Sequence, residues 1–422
     1  MERAGDDRRP IWRRPDLNSQ PLARPEEVGL SSERLGRVTG WMRRQIDSGR
    51  LAGIEVLVAR RGKAAFHHCE GMADIARGRP VTPATLYRLY SMNKSLTSAA
   101  VMMLYEEGHF QLDDPISRFI PDFSGQRVWS GGGFGATQSE PALRDITFRD
   151  LLTHTSGLTY GFMQANPVDA MYREQNIDRL GLEMSLTEFV GKVAKLPLVA
   201  QPGTRWNYSV STDVLCRLIE VMSGRPYDAF LTERLLKPLG MEDTTFNVSS
   251  DRIDRLSACY APGPDGRPEL QDDPATSRFA GPLKTPFGGA LVSTASDYMR
   301  FCQFLLSKGA CGGTHLLGRK TVELMMMNHL GGDLAAMGQP RFAESTFHGI
   351  GFGLGFSVLI DPTRAQIVGS PGECGWGGMA STAYWVDPAE DLAVVMMAQL
   401  IPSSRYPLRR ELRVLTYQAI VD

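Results

Sequence analysis

Apolar residues recur at helical spacing over residues 31–49, where Leu35, Val38, Trp41, Met42 and Ile46 share one side behind Ser31. That pattern predicts a capped amphipathic helix. The spacing then shortens. Residues 53–60 and 63–69 have strand length and composition, and Arg61-Gly62 between them predicts a hairpin. From Ser91 good helix formers with apolar residues at helical spacing run to a stop at Gly108. Helical patterns follow over 147–153, 186–196 and 211–223. Strand signals return at 355–360, 380–386 and 391–398, and a helix over 406–420 closes the chain. No internal repeat is present. Strands at both ends with helices between predict one sheet built from both termini and a helical insertion. The expected division is a Pro- and Arg-rich arm at 1–25, a sheet domain at 26–94 and 280–422, and a mainly helical domain at 95–279. A cleft is expected between the two domains.

Composition narrows the class of function. The 422 residues are 42% hydrophobic and 22% charged, with a net charge of -1, which is ordinary for a globular enzyme and leaves no basic footprint for nucleic acid. No stretch approaches the ~20 apolar residues of a membrane span. The six cysteines are scattered without a Cys-x-x-Cys pair, and the N-terminus is charged with no apolar core. Reduced thiols and a cytoplasmic address are expected.

Three segments carry candidate chemistry. In Ser91-Met92-Asn93-Lys94 a hydroxyl and an amine stand three positions apart at a helix start. Positions i and i+3 share a face, so Lys94 can reach Ser91 and activate it as a nucleophile. The second segment is Trp206-Asn207-Tyr208-Ser209-Val210, at a loop-to-helix junction after Pro202-Gly203. A phenol there becomes a useful base beside a cation such as Lys94 and is otherwise a half-buried core residue. The third is Gly375-Trp376-Gly377-Gly378-Met379, before a strand. Its glycines would let a substrate approach backbone N–H donors, or would simply form a turn.

Other matches are weaker. The stretch Gly131-Gly132-Gly133-Phe134-Gly135-Ala136 lacks a preceding apolar strand and reads as a surface loop. The glycine-rich loop at 130–136 and residues 328–349 are expected to border the cleft and to set acyl-chain length. No Gly-x-Ser-x-Gly elbow is present, which argues against an α/β-hydrolase. His154 reads as a hydrogen-bonding structural residue. His67 and His68 are adjacent on a strand and point to opposite faces, so no metal and no cofactor are expected. Cys374 reads as a buried small hydrophobe.

In order along the chain, Ser-x-x-Lys, Tyr208-Ser209-Val210 and Trp376-Gly377-Gly378 resemble the serine hydrolases related to class C β-lactamases and penicillin-binding proteins. Within them the similarity is greatest to family VIII carboxylesterases. Leu112-Asp113-Asp114-Pro115, Leu151-Leu152-Thr153-His154-Thr155-Ser156-Gly157-Leu158 and Gly288-Gly289-Ala290-Leu291-Val292-Ser293-Thr294 extend the match over about residues 28–400. The resemblance implies an α+β fold, a mainly antiparallel sheet flanked by helices beside a helical domain. It also implies Ser91 as nucleophile, Lys94 with Tyr208 as the proton-exchanging pair, and the N–H groups of Ser91 and Met379 as the oxyanion hole. Tyr160, Trp376, Gly377, Gly378 and Val210 would line the substrate pocket.

Two departures bear on the substrate. Class C β-lactamases carry Tyr-x-Asn where this chain has Val210, and Lys-Thr-Gly where it has Trp376-Gly377-Gly378. Both exchange polar recognition of the drug for apolar surface. The expected activity is hydrolysis of a small, neutral, short-chain ester, with at most weak β-lactamase side activity. An acyltransferase of the same superfamily, a β-lactamase or peptidase, and a non-catalytic binding protein are the alternatives.

Overall fold

The computed structural model describes residues 22–177, 184–281, 289–338, 341–342 and 345–422. Most of the expected arm lies outside the described residues. Ser31 caps helix α1 (Ser32–Asp47) by accepting from the Arg34 N–H at 3.3 Å. Strands β1 (Gly53–Arg60) and β2 (Lys63–Asp74) follow as an antiparallel hairpin. Its turn residues have positive φ, 51° at Arg61 and 73° at Gly62, as a two-residue turn matching the strand twist requires.

The large sheet adds β3 (Arg79–Pro80), β4 (Ile350–Phe352), β5 (Ser357–Leu359), β6 (Cys374–Gly377), β7 (Ala383–Asp387) and β8 (Leu392–Ala398). Its order is β4-β5-β6-β7-β8-β1-β2-β3, with each adjacent pair antiparallel. The last strand therefore pairs with the first, Val56 opposite Met396, and the sheet is built from both ends of the chain. Strands β4 and β6 go beyond the sequence reading. The β6 segment has turn-like composition, and pairing with neighbours on both sides makes it a strand.

The helices that frame the site and the cores include α2 (Asn93–Glu106), α3 (Phe148–Leu152), α4 (Leu186–Val193), α5 (Ser211–Ser223), α6 (Ala295–Leu306) and α7 (Leu408–Tyr417). Alternation along β1 divides two cores between the sheet faces. Ile54, Val56 and Val58 pack with Leu35, Trp41, Met42, Leu408 and Leu412 of α1 and α7. Leu57 and Ala59 belong to the larger core with α2, α5 and α6. Helix α2 is buried at every position from 93 to 104, because it runs through the middle of that core instead of along its surface. The glycine-rich stretch forms the tip of a small hairpin, Arg127–Gly131 with Gln138–Pro141. Among the described residues no helix is long and apolar enough to cross a membrane.

Candidate active site

The chain turns sharply into α2. Tyr90 takes a left-handed conformation (φ 47°), and the 3-10 turn Tyr90–Met92 carries Ser91 immediately before the α-helix. The helix proper begins at Asn93, so Lys94 lies in its first turn, one turn on from the serine. Lys94 Nζ donates to Ser91 Oγ at 3.3 Å. Tyr208, in the loop before α5, donates its hydroxyl to the same oxygen at 2.7 Å. Three residues that the sequence reading singled out thus converge on one atom. Lys94 and Tyr208 are both buried, while Ser91 is only half-buried.

Aromatic rings fix this arrangement. Lys94 Nζ stands 5.1 Å from the centre of the Tyr208 ring and 5.6 Å from that of Tyr160. The Tyr208 ring has Tyr160 at 5.4 Å, Trp376 at 5.6 Å and His154 at 4.8 Å. His154 is buried, with Nδ1 3.2 Å from Ser209 Oγ. Burial first, and the Lys94 charge second, hold its imidazole well below the usual histidine range. It is therefore a neutral packing and hydrogen-bonding group, in keeping with its structural reading. Cys374 is buried as well, and burial pushes its thiol well up, which makes it unreactive.

Strand β6 forms the opposite wall. The Gly378 N–H donates to the Thr382 carbonyl at 2.9 Å, in the turn that follows the strand and carries Met379. The glycines here have a reason beyond substrate access. A Cβ on Gly378 would stand 2.3 Å from the carbonyl oxygen of Leu89, two residues before the serine. A Cβ on Gly377 would stand 2.6 Å from Cζ of Arg409. Arg409, from α7, donates to the carbonyls of Gly378 at 3.1 Å and Thr382 at 3.3 Å. The strand end is thereby pressed onto the turn that carries Ser91.

Between these walls lies a cleft of about 780 Å³. Ser91, Lys94, Tyr208, Tyr160, Val210, Trp376, Gly377, Gly378 and Met379 all border it. Of the segment 328–349, Phe347 reaches the cleft, and residues 339–340 and 343–344 lie outside the described residues. The glycine-rich hairpin tip is not among the lining residues. Several polar groups of the cleft escaped the sequence reading, Asp213 and Arg409 among them. Asp213, buried in the first turn of α5, accepts from the Tyr160 hydroxyl at 3.5 Å. Asp213 lies five positions after Tyr208, but a carboxylate near a helix start reads from sequence as dipole compensation. Nothing local marks Arg409.

The structure also gathers metal-type ligands that the sequence reading set aside. His67 and His68 do face opposite ways, His67 to Glu55 and His68 to Glu70. Yet Cys69 shares the face of His67, and Glu55, His67 and Cys69 come together away from the cleft. The sequence reading weighed neighbouring histidines and missed the i, i+2 pair.

A family description, Beta-lactamase, matches residues 38–418. Protein Rv1367c of Mycobacterium tuberculosis is 35% identical over 372 residues, 86% of this chain and 89% of that one. Esterase EstB of Burkholderia gladioli is 31% identical over 373 residues, 82% of this chain and 86% of that protein. The solved structure of EstCE1, described as a hydrolase with promiscuous acyltransferase activity, superposes with a TM-score of 0.76 at 28% identity. That superposition covers 91% of this chain and 99% of EstCE1. The match takes in the sheet from α1 to α7 as well as the helices inserted in it, and the chain belongs to the beta-lactamase family.

Proposed function

We propose that the protein is a serine carboxylesterase that hydrolyses short-chain neutral esters through an acyl-enzyme on Ser91, after the manner of family VIII. The observation that carries this reading is the double hydrogen bond to Ser91 Oγ, from Lys94 Nζ at 3.3 Å and from the Tyr208 hydroxyl at 2.7 Å. A nucleophile in hydrogen-bond reach of its base, itself held by a third group, is the arrangement acyl transfer needs. The Ser91 proton passes to the Lys94/Tyr208 pair, which exchanges it as one coupled unit. Oγ attacks the ester carbonyl, and the oxyanion rests on the N–H groups of Ser91 and Met379. The alcohol leaves with a proton delivered through Tyr208. Water then gives a proton to the same pair, attacks the acyl carbonyl and releases the acid, and Ser91 recovers its proton.

Val210 and Trp376 border the cleft where β-lactamase relatives carry an asparagine and a lysine, which supports an ester over a β-lactam. The relation to EstB points the same way. A second reading, transfer of the acyl group to an alcohol or amine instead of water, is favoured by the description of EstCE1.

The test is hydrolysis of p-nitrophenyl esters from acetate to laurate by the wild type and Ser91→Ala, beside a chromogenic cephalosporin. Turnover of short esters that depends on Ser91, with the cephalosporin barely touched, is expected. Strong cephalosporin turnover would defeat the argument from Val210 and Trp376. Ester turnover that rises severalfold with added alcohol, while acid release falls, would move the assignment to the transferase.

A further inference from the structure

We propose that Glu55, His67 and Cys69, on the β1–β2 hairpin, form a binding site for a divalent cation of zinc type. The register of the hairpin builds the cluster. Glu55 pairs directly with Cys69, and Leu57 with His67, so all three candidate ligands project from one face of the two strands. One ligand atom from each lies within 4.8 Å of the other two. Around a tetrahedral zinc at ~2.0–2.3 Å from each ligand the donor atoms stand roughly 3.3–3.8 Å apart, so closing on the ion takes about an ångström of movement.

A second observation points into the same place. The Glu55 side chain has no solvent exposure, and His67 Nε2 lies 2.7 Å from its Oε1. Its other oxygen, Oε2, has no hydrogen-bond partner. The hydroxyl of Tyr87, also buried, interacts with the Glu55 carboxylate. A buried carboxylate oxygen without a well-formed hydrogen bond is costly, since it loses hydration with little in return. A cation relieves this. It takes the position of the proton between His67 Nε2 and Glu55, draws in the carboxylate, and leaves Tyr87 Oη or a water for the fourth position.

Ligand chemistry selects the metal. Carboxylate, imidazole and thiolate together suit zinc, whereas magnesium and calcium favour oxygen alone. Binding converts the Cys69 thiol to a thiolate and releases its proton to solvent, so affinity weakens as pH falls. Entry is open on one side, because His67 is 12% exposed and Cys69 is half-buried. None of the three residues borders the catalytic cleft, so the ion would clamp β1 to β2 and take no part in acyl transfer.

The probe is the metal alone. Full-length protein stripped with EDTA is titrated with Co²⁺ and then Zn²⁺ in a non-coordinating buffer, with circular dichroism to establish folding. The expected result is one equivalent of cobalt with a thiolate-to-cobalt charge-transfer band in the near ultraviolet, displaced by one equivalent of zinc. Cys69→Ser abolishes the band and weakens zinc binding about tenfold or more, and Glu55→Gln weakens it similarly. Equal zinc binding by wild type and Cys69→Ser overturns the proposal, as does wild-type uptake below about half an equivalent. If Glu55→Gln fails to fold because of its burial, Cys69→Ser, at a half-buried position, decides the question alone.

Discussion

Tyr208 meets Ser91 through its hydroxyl, while His154, Tyr160 and Trp376 hold its ring. The ring contacts and the hydroxyl contact are therefore separable. Tyr208→Phe should keep the packing and lose the proton path, lowering kcat by roughly 10²–10⁴-fold with KM and thermal stability nearly unchanged. Steady-state hydrolysis of p-nitrophenyl acetate beside a melting curve checks this, and unchanged kcat would remove Tyr208 from the mechanism. At this scale legibility depended on distance along the chain. Ser91 and Lys94 lie within one helical turn, so their spacing alone puts amine and hydroxyl on one face. Tyr208 lies 117 positions from Ser91, and no local rule links them. Its place in the site was legible only through the order of motifs shared with a family. Asp213, which carries no motif, was not legible at all.

At the scale of elements, β6 and α7 act on the site together. Arg409 holds the carbonyls of Gly378 and Thr382, and the missing side chain of Gly377 leaves room for its guanidinium. Gly377→Ala should drive Arg409 away and shift the Met379 N–H, lowering kcat about tenfold or more while the fold persists. In the double variant Gly377→Ala/Arg409→Ala part of that loss should return, because the clash with the guanidinium goes while the 2.8 Å approach to the Thr382 carbonyl stays. Strictly additive losses in the four-variant cycle would show that the two positions act independently. Pattern reading found elements whose alternation or helical spacing is strong. It missed β3, β4 and β6, short or turn-like segments that become strands by pairing with the strands beside them, and it missed helix α6. It did foresee the turn at Arg61-Gly62, but the register from that turn alone would set His68 opposite Glu55, and only the shift between Val58 and Ala59 brings Cys69 there.

In the whole molecule the sheet divides two large cores; the one containing α2 and Tyr208 lines most of the cleft, and the other reaches it through Ala383 and Trp385. Leu35 lies in the other, fully buried between α1 and the sheet. Leu35→Ala should cost about 2–5 kcal/mol of stability while kcat and KM at 25 °C stay as in wild type. Chemical unfolding with parallel kinetics tests this, and a fall in kcat from folded protein would mean that the two cores are coupled. What the sequence by itself determined is whatever rests on near neighbours: the helices and strands of strong period, the hairpin turn, the Ser91–Lys94 face, and a motif order that names a family. The tertiary structure decided what requires distant segments to meet. Pairing of the last strand with the first closes the sheet, α7 brings Arg409 against Gly377, and the loop before α5 carries Tyr208 to Ser91. Local sequence sets which conformations are cheap, but contacts between segments hundreds of residues apart form only when the whole core is buried at once.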